Sequence, residues 1–412
     1  IKKAISNAED QELILIAGKG HEEHQVYKNK TINISNKKII KKLNIKFKTL
    51  NKKKLIFSQN KSIISRIFRK KISLNFNGFS IDSRTIKKDN LFLAFKGKKH
   101  DGKKFIDIVL KKGAGCVVSS TSIKNKNKKI LKYRNLISFL NQFANHKREL
   151  TTSKIVAITG SAGKTSLKNL IKNILQNFGK TYYSPKSFNN HLGVPLSLSN
   201  LSYDDKFGIF EVGMSKAGEI DRLTKIIKPD IGVITNIGEA HIENFKNISY
   251  IAKAKGELID NIKKDGTLLL NRDDRFFNYF LKRAKKNNIK NIISIGFSEK
   301  SDVKIRYYKL LKKQQKLIIK IKKNHYSIIS PIINPYSLTI SLTIMNILNI
   351  DIKKSLKYFK NIYPLDGRGK YYNIKRFNTS FKLIDETYNA NPYSVKNAIK
   401  KLSESKNNTS KK

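Results

Sequence analysis

The densest chemistry in the sequence lies between Ile155 and Ser166, where Ile-Val-Ala-Ile-Thr runs into Gly-Ser-Ala-Gly-Lys-Thr-Ser. Gly160, Ser161, Ala162 and Gly163 form a turn whose backbone N–H groups can face an anion. Lys164 adds a full positive charge, the Thr165 hydroxyl suits Mg²⁺, and Ser166 follows. The cradle is of a short kind, because Ile158 stands where the longer Gly-x-x-x-x-Gly-Lys-Ser/Thr loop has its first Gly. Further along, Glu211, His241 and Lys255 fall at or beyond the ends of expected strands. A carboxylate and an imidazole beside a phosphate suit a divalent cation that bridges phosphate oxygens. Taken singly each has a plainer reading: Glu211 as a turn cap, His241 as a surface residue, Lys255 as one lysine among many.

A phosphate cradle needs a strand before it and a helix after it. Ile155 to Thr159 supply the strand. Leu167, Leu170, Ile171, Ile174, Leu175 and Phe178 repeat at helical spacing, and Gly179 stops the helix. Strands are expected at 155–159, 207–212, 231–237, 267–271 and 292–296, with helices at 164–178, 218–228, 249–263 and 275–287. That alternation predicts a multidomain α/β protein with a mostly parallel central sheet, whose ligands bind beyond the carboxyl ends of the strands. Ahead of it a small α/β domain is expected, with a turn at Ser80–Thr85, a strand at Leu91–Phe95, a helix at Phe105–Leu110 and a strand at Cys116–Val118. After it come Gly367-Arg-Gly369, strands near 371–375 and 381–385, and a helix from about 393.

The boundaries that follow are 73–150 for the first domain, 151–363 for the central one and 364–412 for the start of a third. Residues 48–72 read as a linker or a first helix, with Ile63, Ile64, Ile67 and Phe68 in a weak helical pattern. Residues 1–47 open with a short apolar strand from Leu13 that ends in Gly18-Lys-Gly-His-Glu22, and they read as the tail of something else.

The 412 residues carry 85 Lys and Arg against 30 Asp and Glu, a net charge of +55. Such a field attracts polyanions. Lys far outnumbers Arg, however, and its runs occur on every expected element together with many Asn and Ile, a pattern of coding bias rather than of a nucleic-acid face. The single cysteine, Cys116, excludes an internal disulfide and sits in an apolar strand, which suits a reducing cytoplasm. No apolar run approaches the roughly 18 residues of a membrane span, and acidic Glu9, Asp10 and Glu12 precede the first short apolar run, unlike a signal peptide.

Several motifs in order resemble the Mur ligases over roughly residues 60–400: Ser80 to Arg84, Thr159 to Thr165, Ser187-Phe-Asn-Asn-His-Leu-Gly-Val-Pro195, Glu211-Val-Gly213, Asn236 to His241, Ala254-Lys-Gly-Glu257 and Asp385-Glu-Thr-Tyr-Asn-Ala-Asn-Pro392. The resemblance implies an ATP-dependent ligase that joins D-alanyl-D-alanine to UDP-N-acetylmuramoyl-tripeptide through an acyl phosphate. It implies that Thr165 and Glu211 hold one Mg²⁺, that His241 and a carbamylated Lys255 help hold a second, and that Lys164 neutralises phosphate charge. By the same carry-over Asn189 and Asn190 approach triphosphate and substrate, Ser83 and Arg84 contact the UDP end, and Arg368 and Asp385 meet the nucleotide from the last domain. Asn389 and Asn391 could face the substrate or only shape the turn before Pro392. The family's Gly-x-His-Asn-x-x-Asn near the adenine reads Pro331-Ile-Ile-Asn-Pro-Tyr-Ser337 here, which keeps Asn334 but has Ile333 and Ser337 at the His and second Asn positions. A weaker adenine contact is the expectation.

Gly18 to Glu22 resemble the C-terminal signature of a MurE-like ligase, whose diaminopimelate substrate Gly18 and Glu22 would approach. The expectation is therefore a piece of an in-frame fusion with an incomplete last domain, which binds the UDP-substrate but ligates poorly by itself. A monomer without specific nucleic-acid binding is expected. The competing readings are a folylpolyglutamate-synthetase-like ligase and a basic nucleic-acid-associated ATPase.

Overall fold

The computed structural model describes residues 25–27, 30–32, 53–97, 100–123, 127–311, 314–376, 379–388, 395–396 and 398–399. The chain divides into two compact units, Ile1–Arg134 and Asn135–Lys412. Gly18 to Glu22, Asn389 and Asn391 lie outside the described residues.

In the first unit, strands β1 (Gln25–Tyr27) and β2 (Lys30–Ile32) pair antiparallel. Residues 53–68 form helix α1, which buries Ile63, Ile64 and Ile67 and sets Phe68 edge-on to Tyr133. A parallel sheet follows, in the order β3 (Gly78–Ser80), β4 (Asn90–Leu93), β5 (Cys116–Ser119), β6 (Ile130–Lys132). Helix α2 (Ile106–Lys111) lays Ile106 and Val109 against Phe92 and Val117. Cys116 is fully buried in the sheet, and that burial raises its thiol pKa.

The second unit begins with helix α3 (Leu136–Leu150). The division between the compact units falls just before it, after Arg134. The physical reason lies in its buried face, where Ala144 joins the same core as Val194 and Ile220. Arg148 also donates to Ile227 O at 2.7 Å, to Lys228 O at 2.9 Å and to Asp230 Oδ2 at 3.0 Å.

The central sheet contains β7 (Lys154–Thr159), β8 (Thr181–Tyr183), β9 (Phe207–Glu211), β10 (Ile231–Ile234), β11 (Thr267–Asn271), β12 (Asn291–Gly296), β13 (Val303–Leu310), β14 (Gln314–Ile321) and β15 (Asn324–Pro331). Their order is β15-β14-β13-β12-β11-β10-β7-β9-β8, and the pairings from β8 through to β13 are parallel. The edge β13-β14-β15 is an antiparallel meander that the expected alternation of strand and helix did not contain. In β14, Leu317, Ile319 and Ile321 are buried between exposed or half-buried partners, the alternation of a strand with one covered face.

Successive residues of β7 feed opposite cores. Val156 and Ile158 meet Leu167, Leu170 and Ile171 of α4 (Lys164–Leu175), together with Leu338 of α9 (Pro335–Ile347) and Ile352 of α10 (Ile352–Phe359). Ile155 and Ala157 join the core of α3, α5 (Gly193–Asn200), α6 (Glu219–Ile227), α7 (Ile248–Gly256) and α8 (Phe277–Lys286). Both faces of β7 are thus dry, which is why its sequence is an unbroken apolar run. Helices cover both faces of the parallel strands, so function is left to the strand ends. The hairpin β16 (Lys370–Arg376) and β17 (Thr379–Asp385) follows in the same unit.

Candidate active site

The turn after β7 is held open by its backbone and by a neighbour. Gly160 has φ +145, and a Cβ there would stand 1.9 Å from Thr235 Oγ1, so only Gly fits. Gly163 has φ +81 and caps α4. Asn236, just beyond β10, ties the turn down: its Oδ1 accepts from Ala162 N at 2.9 Å, and its carbonyl accepts from Ser161 N at 2.9 Å. The Ser161 hydroxyl donates to Gly238 O at 2.9 Å and accepts from Gly238 N at 2.8 Å. These contacts leave a rigid loop at the N-terminus of a helix, where dipole and N–H groups favour an anion.

At the start of α4 three side chains meet the end of β9. Thr165 Oγ1 donates to Glu211 Oε2 at 2.8 Å, Asn189 Nδ2 donates to Glu211 Oε1 at 2.8 Å, and Lys168 Nζ lies 3.4 Å from Glu211 Oε2. Glu211 is 2 % exposed, so its charge depends on these partners. Asn190 does something else: its Oδ1 accepts from Gly193 N at 2.8 Å and Leu192 N at 3.2 Å and so opens α5.

Two lysines converge on one carbonyl. Lys164 Nζ donates to Gly160 O at 2.7 Å and Lys255 Nζ, from α7, to the same oxygen at 3.2 Å. Burial lowers the pKa of Lys164; Glu211 opposes that shift and Arg368 adds to it. Lys255 is 2 % exposed, and its pKa falls well below the ordinary lysine value, through burial first and the Lys164 charge second.

His241, at φ +63, is exposed and lines a cavity of about 420 Å³ together with Lys164, Thr165, Ser166, Glu211 and Arg368. Asn334 lines the same cavity, but its Oδ1 is engaged as the cap of α9, accepting from Tyr336 N at 2.9 Å and Ser337 N at 3.3 Å. A second cavity of about 570 Å³ shares Ala162, Gly163 and Asn334 and adds Asp273, Asp274 and Tyr336. Arg368 lays its guanidinium 3.7 Å over the Tyr388 ring. Asp385 accepts from Gly367 N at 2.9 Å and from Thr387 Oγ1 at 2.7 Å, so it shapes the turn that bears Arg368. In the first unit, Arg84 is exposed and forks onto Asp82, with Nη2 at 2.7 Å from Oδ2, while Ser83 O accepts from Lys112 Nζ at 2.8 Å.

Sequence reasoning left out Asn236, Lys168, Ser187 and Tyr388 as site residues. Lys168 lies one helical turn beyond Lys164, on the face of α4 that the cradle itself defines, so its spacing was a usable signal. Nothing in the local sequence marks Asn236 as the latch of a loop 74 positions away.

The Thr165 hydroxyl and Glu211 carboxylate, 2.8 Å apart at the cradle, are a donor pair suited to a hard cation. Among the described residues no three His, Cys, Asp or Glu side chains cluster.

The family model for the Mur ligase middle domain matches residues 158–339, and that for the Mur ligase family catalytic domain matches residues 75–148. The UDP-N-acetylmuramoyl-tripeptide–D-alanyl-D-alanine ligase of Rickettsia prowazekii is 37% identical over 334 residues, covering 80% of this chain and 73% of the relative. MurF from Acinetobacter baumannii superposes with a TM-score of 0.74 at 25% identity over 85% of this chain and 76% of that one. MurF from Thermotoga maritima in complex with ADP gives 0.68 at 25% identity, over 79% and 74%. The chain belongs to the Mur ligase family.

Proposed function

We propose that this protein joins D-alanyl-D-alanine to the terminal carboxylate of UDP-N-acetylmuramoyl-tripeptide at the expense of ATP. The observation that carries the reading is the convergence of Lys164 and Lys255 on Gly160 O beside the Thr165–Glu211 pair, in a chain 37% identical to a ligase of that name. A carboxylate is a poor electrophile until its oxygen is phosphorylated. Its attack on the γ-phosphorus of ATP brings two anions together, and releasing ADP requires that charge be neutralised. Lys164 and the loop N–H groups supply part of that neutralisation. The D-alanyl-D-alanine amine then adds to the acyl carbon, and phosphate leaves with the former carboxylate oxygen.

Bound Mg²⁺ neutralises charge between the reacting anions. Thr165 and Glu211 would hold one ion. His241 and Lys255 would help hold a second, with Lys255 as its carbamate. Burial and the Lys164 charge lower the pKa of Lys255, and the neutral amine is the form that adds to CO₂, losing a proton as the carbamate forms. Ser83 and Arg84 are assigned to the UDP end, Arg368 to the nucleotide, and Asn189 to holding Glu211. Asn190, Asn334 and Asp385 act by shaping the backbone, which their hydrogen bonds support. The protein is proposed to act as a monomer in the cytoplasm.

The test is phosphate release with ATP, Mg²⁺, UDP-tripeptide and D-alanyl-D-alanine, each omitted in turn. Release that depends on both substrates is expected. Release stimulated by DNA or RNA, or by folate and glutamate, would replace this reading with another.

A further inference from the structure

Tyr388 stands more than half exposed and lines the 420 Å³ cavity, yet its ring, its hydroxyl and its backbone N–H each have a partner. Its ring carries the Arg368 guanidinium at 3.7 Å. Its backbone N–H donates to Gly367 O at 3.1 Å, where Gly367 adopts φ +71 and approaches so closely that a Cβ would lie 3.0 Å from Tyr388 Cβ. Its hydroxyl lies 2.7 Å from Ser187 Oγ, 201 positions earlier in the chain. Ser187 belongs to the loop between β8 and α5. The same loop presents Asn189 to Glu211 at 2.8 Å, and its Lys186 carbonyl accepts from Lys168 Nζ. One phenol thus joins the turn that bears Arg368 to the loop that orients the buried carboxylate.

An exposed tyrosine is not held this way for stability. Little apolar area is buried, and the pairing with Ser187 is a neutral hydrogen bond at the surface. What the contacts do is fix direction. A guanidinium has many rotamers, and a flat ring beneath it restricts them. The hydroxyl tether then decides where that ring lies relative to the cradle.

We propose that Tyr388 is a positioning residue: it carries Arg368 over the cavity and, through Ser187, registers the last segment of the chain with the loop that holds Asn189 on Glu211. The proposal rests on the ligase reading for its rate effects. Arg368 and Glu211 act on the nucleotide and its cation; Tyr388 acts through them.

The test is a double-mutant cycle on the full chain, read by ligation kinetics and by equilibrium binding of Mg-ADP. Tyr388→Phe and Ser187→Ala each remove one side of the tether and keep the stacking. Each is expected to lower kcat by roughly two- to ten-fold, the worth of one neutral hydrogen bond, and the double variant is expected to fall no further than either single one. Tyr388→Leu, which also removes the stacking platform, is expected to weaken Mg-ADP binding and to make Arg368→Lys nearly silent. The melting temperature should be unchanged throughout. Additive losses in the cycle, or a Tyr388→Leu protein that binds Mg-ADP as wild type does, would overturn the proposal. A wild-type chain without substrate-dependent turnover would count against the ligase reading, and the binding arm would still decide the role of Tyr388.

Discussion

Lys255 and Lys164 share one carbonyl, and two ammonium groups so close cannot both be comfortable in a buried place. The deeper one, Lys255, is the one whose pKa falls well below the ordinary lysine value. If that lowered pKa serves carbamate formation, ¹³C-labelled bicarbonate should give a carbamate resonance that is absent in Lys255→Arg, with ligation reduced by about 100-fold or more. A wild-type spectrum identical to that of the variant would refute this. A different lysine offers a pH test away from the site. Lys147 is buried with its Nζ 3.1 Å from the centre of the Tyr203 ring, and burial lowers its pKa to about 7 against the opposing pull of Asp205 and Asp204. Its folded value lies below the unfolded one of about 10.4, so the unfolded chain binds the extra proton between them. Stability from this group is therefore lost as pH falls toward 7 and recovered as pH rises. Urea denaturation should show stability increasing between about pH 7 and about pH 9, with the slope reduced in Lys147→Met. An equal slope in that variant would show that Lys147 keeps its charge on folding.

At the scale of the element, the loop and α4 were legible because several rules agreed over a short span. An apolar strand, glycines where positive φ is needed, and a helix with one apolar face left no other arrangement. The two glycines should nonetheless respond differently. Gly160→Ala drives a Cβ into Thr235 Oγ1 and should cost several kcal/mol or prevent nucleotide binding, on the order of the worst overpacking substitutions. Gly163→Ala meets nothing within 4 Å and should cost only the backbone strain, about 1 kcal/mol. Denaturation and Mg-ADP binding of the two variants would check the contrast. Less was legible where elements are held by distant partners. The β13–β15 meander escaped because its alternation of Ile with Lys is hard to tell from a sequence in which Lys is everywhere. Helix α3 is held to the second unit through Arg148, which finds Ile227 O, Lys228 O and Asp230, none of which sequence distance brings near. Arg148→Ala removes the buried partner of Asp230 and the donor to the Ile227 and Lys228 carbonyls, and should cost about 3 kcal/mol in urea denaturation.

For the whole molecule, charge and chemistry separate. A net charge of +55 is a burden on any compact state, because like charges repel at every separation shorter than the screening length. Raising NaCl from about 50 mM to about 500 mM should therefore raise the melting temperature, whatever the ligands. A flat response would mean that the excess charge is already neutralised by local pairing. The residues that bring phosphate, carboxylate and amine together are few, and they were read mainly from motif order. What motif order could not supply was which of them touch substrate and which hold backbone. Asn190, Asn334 and Asp385 each accept a hydrogen bond from a nearby backbone N–H group. In the proposed reaction the tripeptide carboxylate is phosphorylated before the amide forms. With tripeptide labelled with ¹⁸O in its terminal carboxylate, one labelled oxygen should appear in the released phosphate for each amide bond made. Phosphate released without label, while the amide still forms, would contradict it.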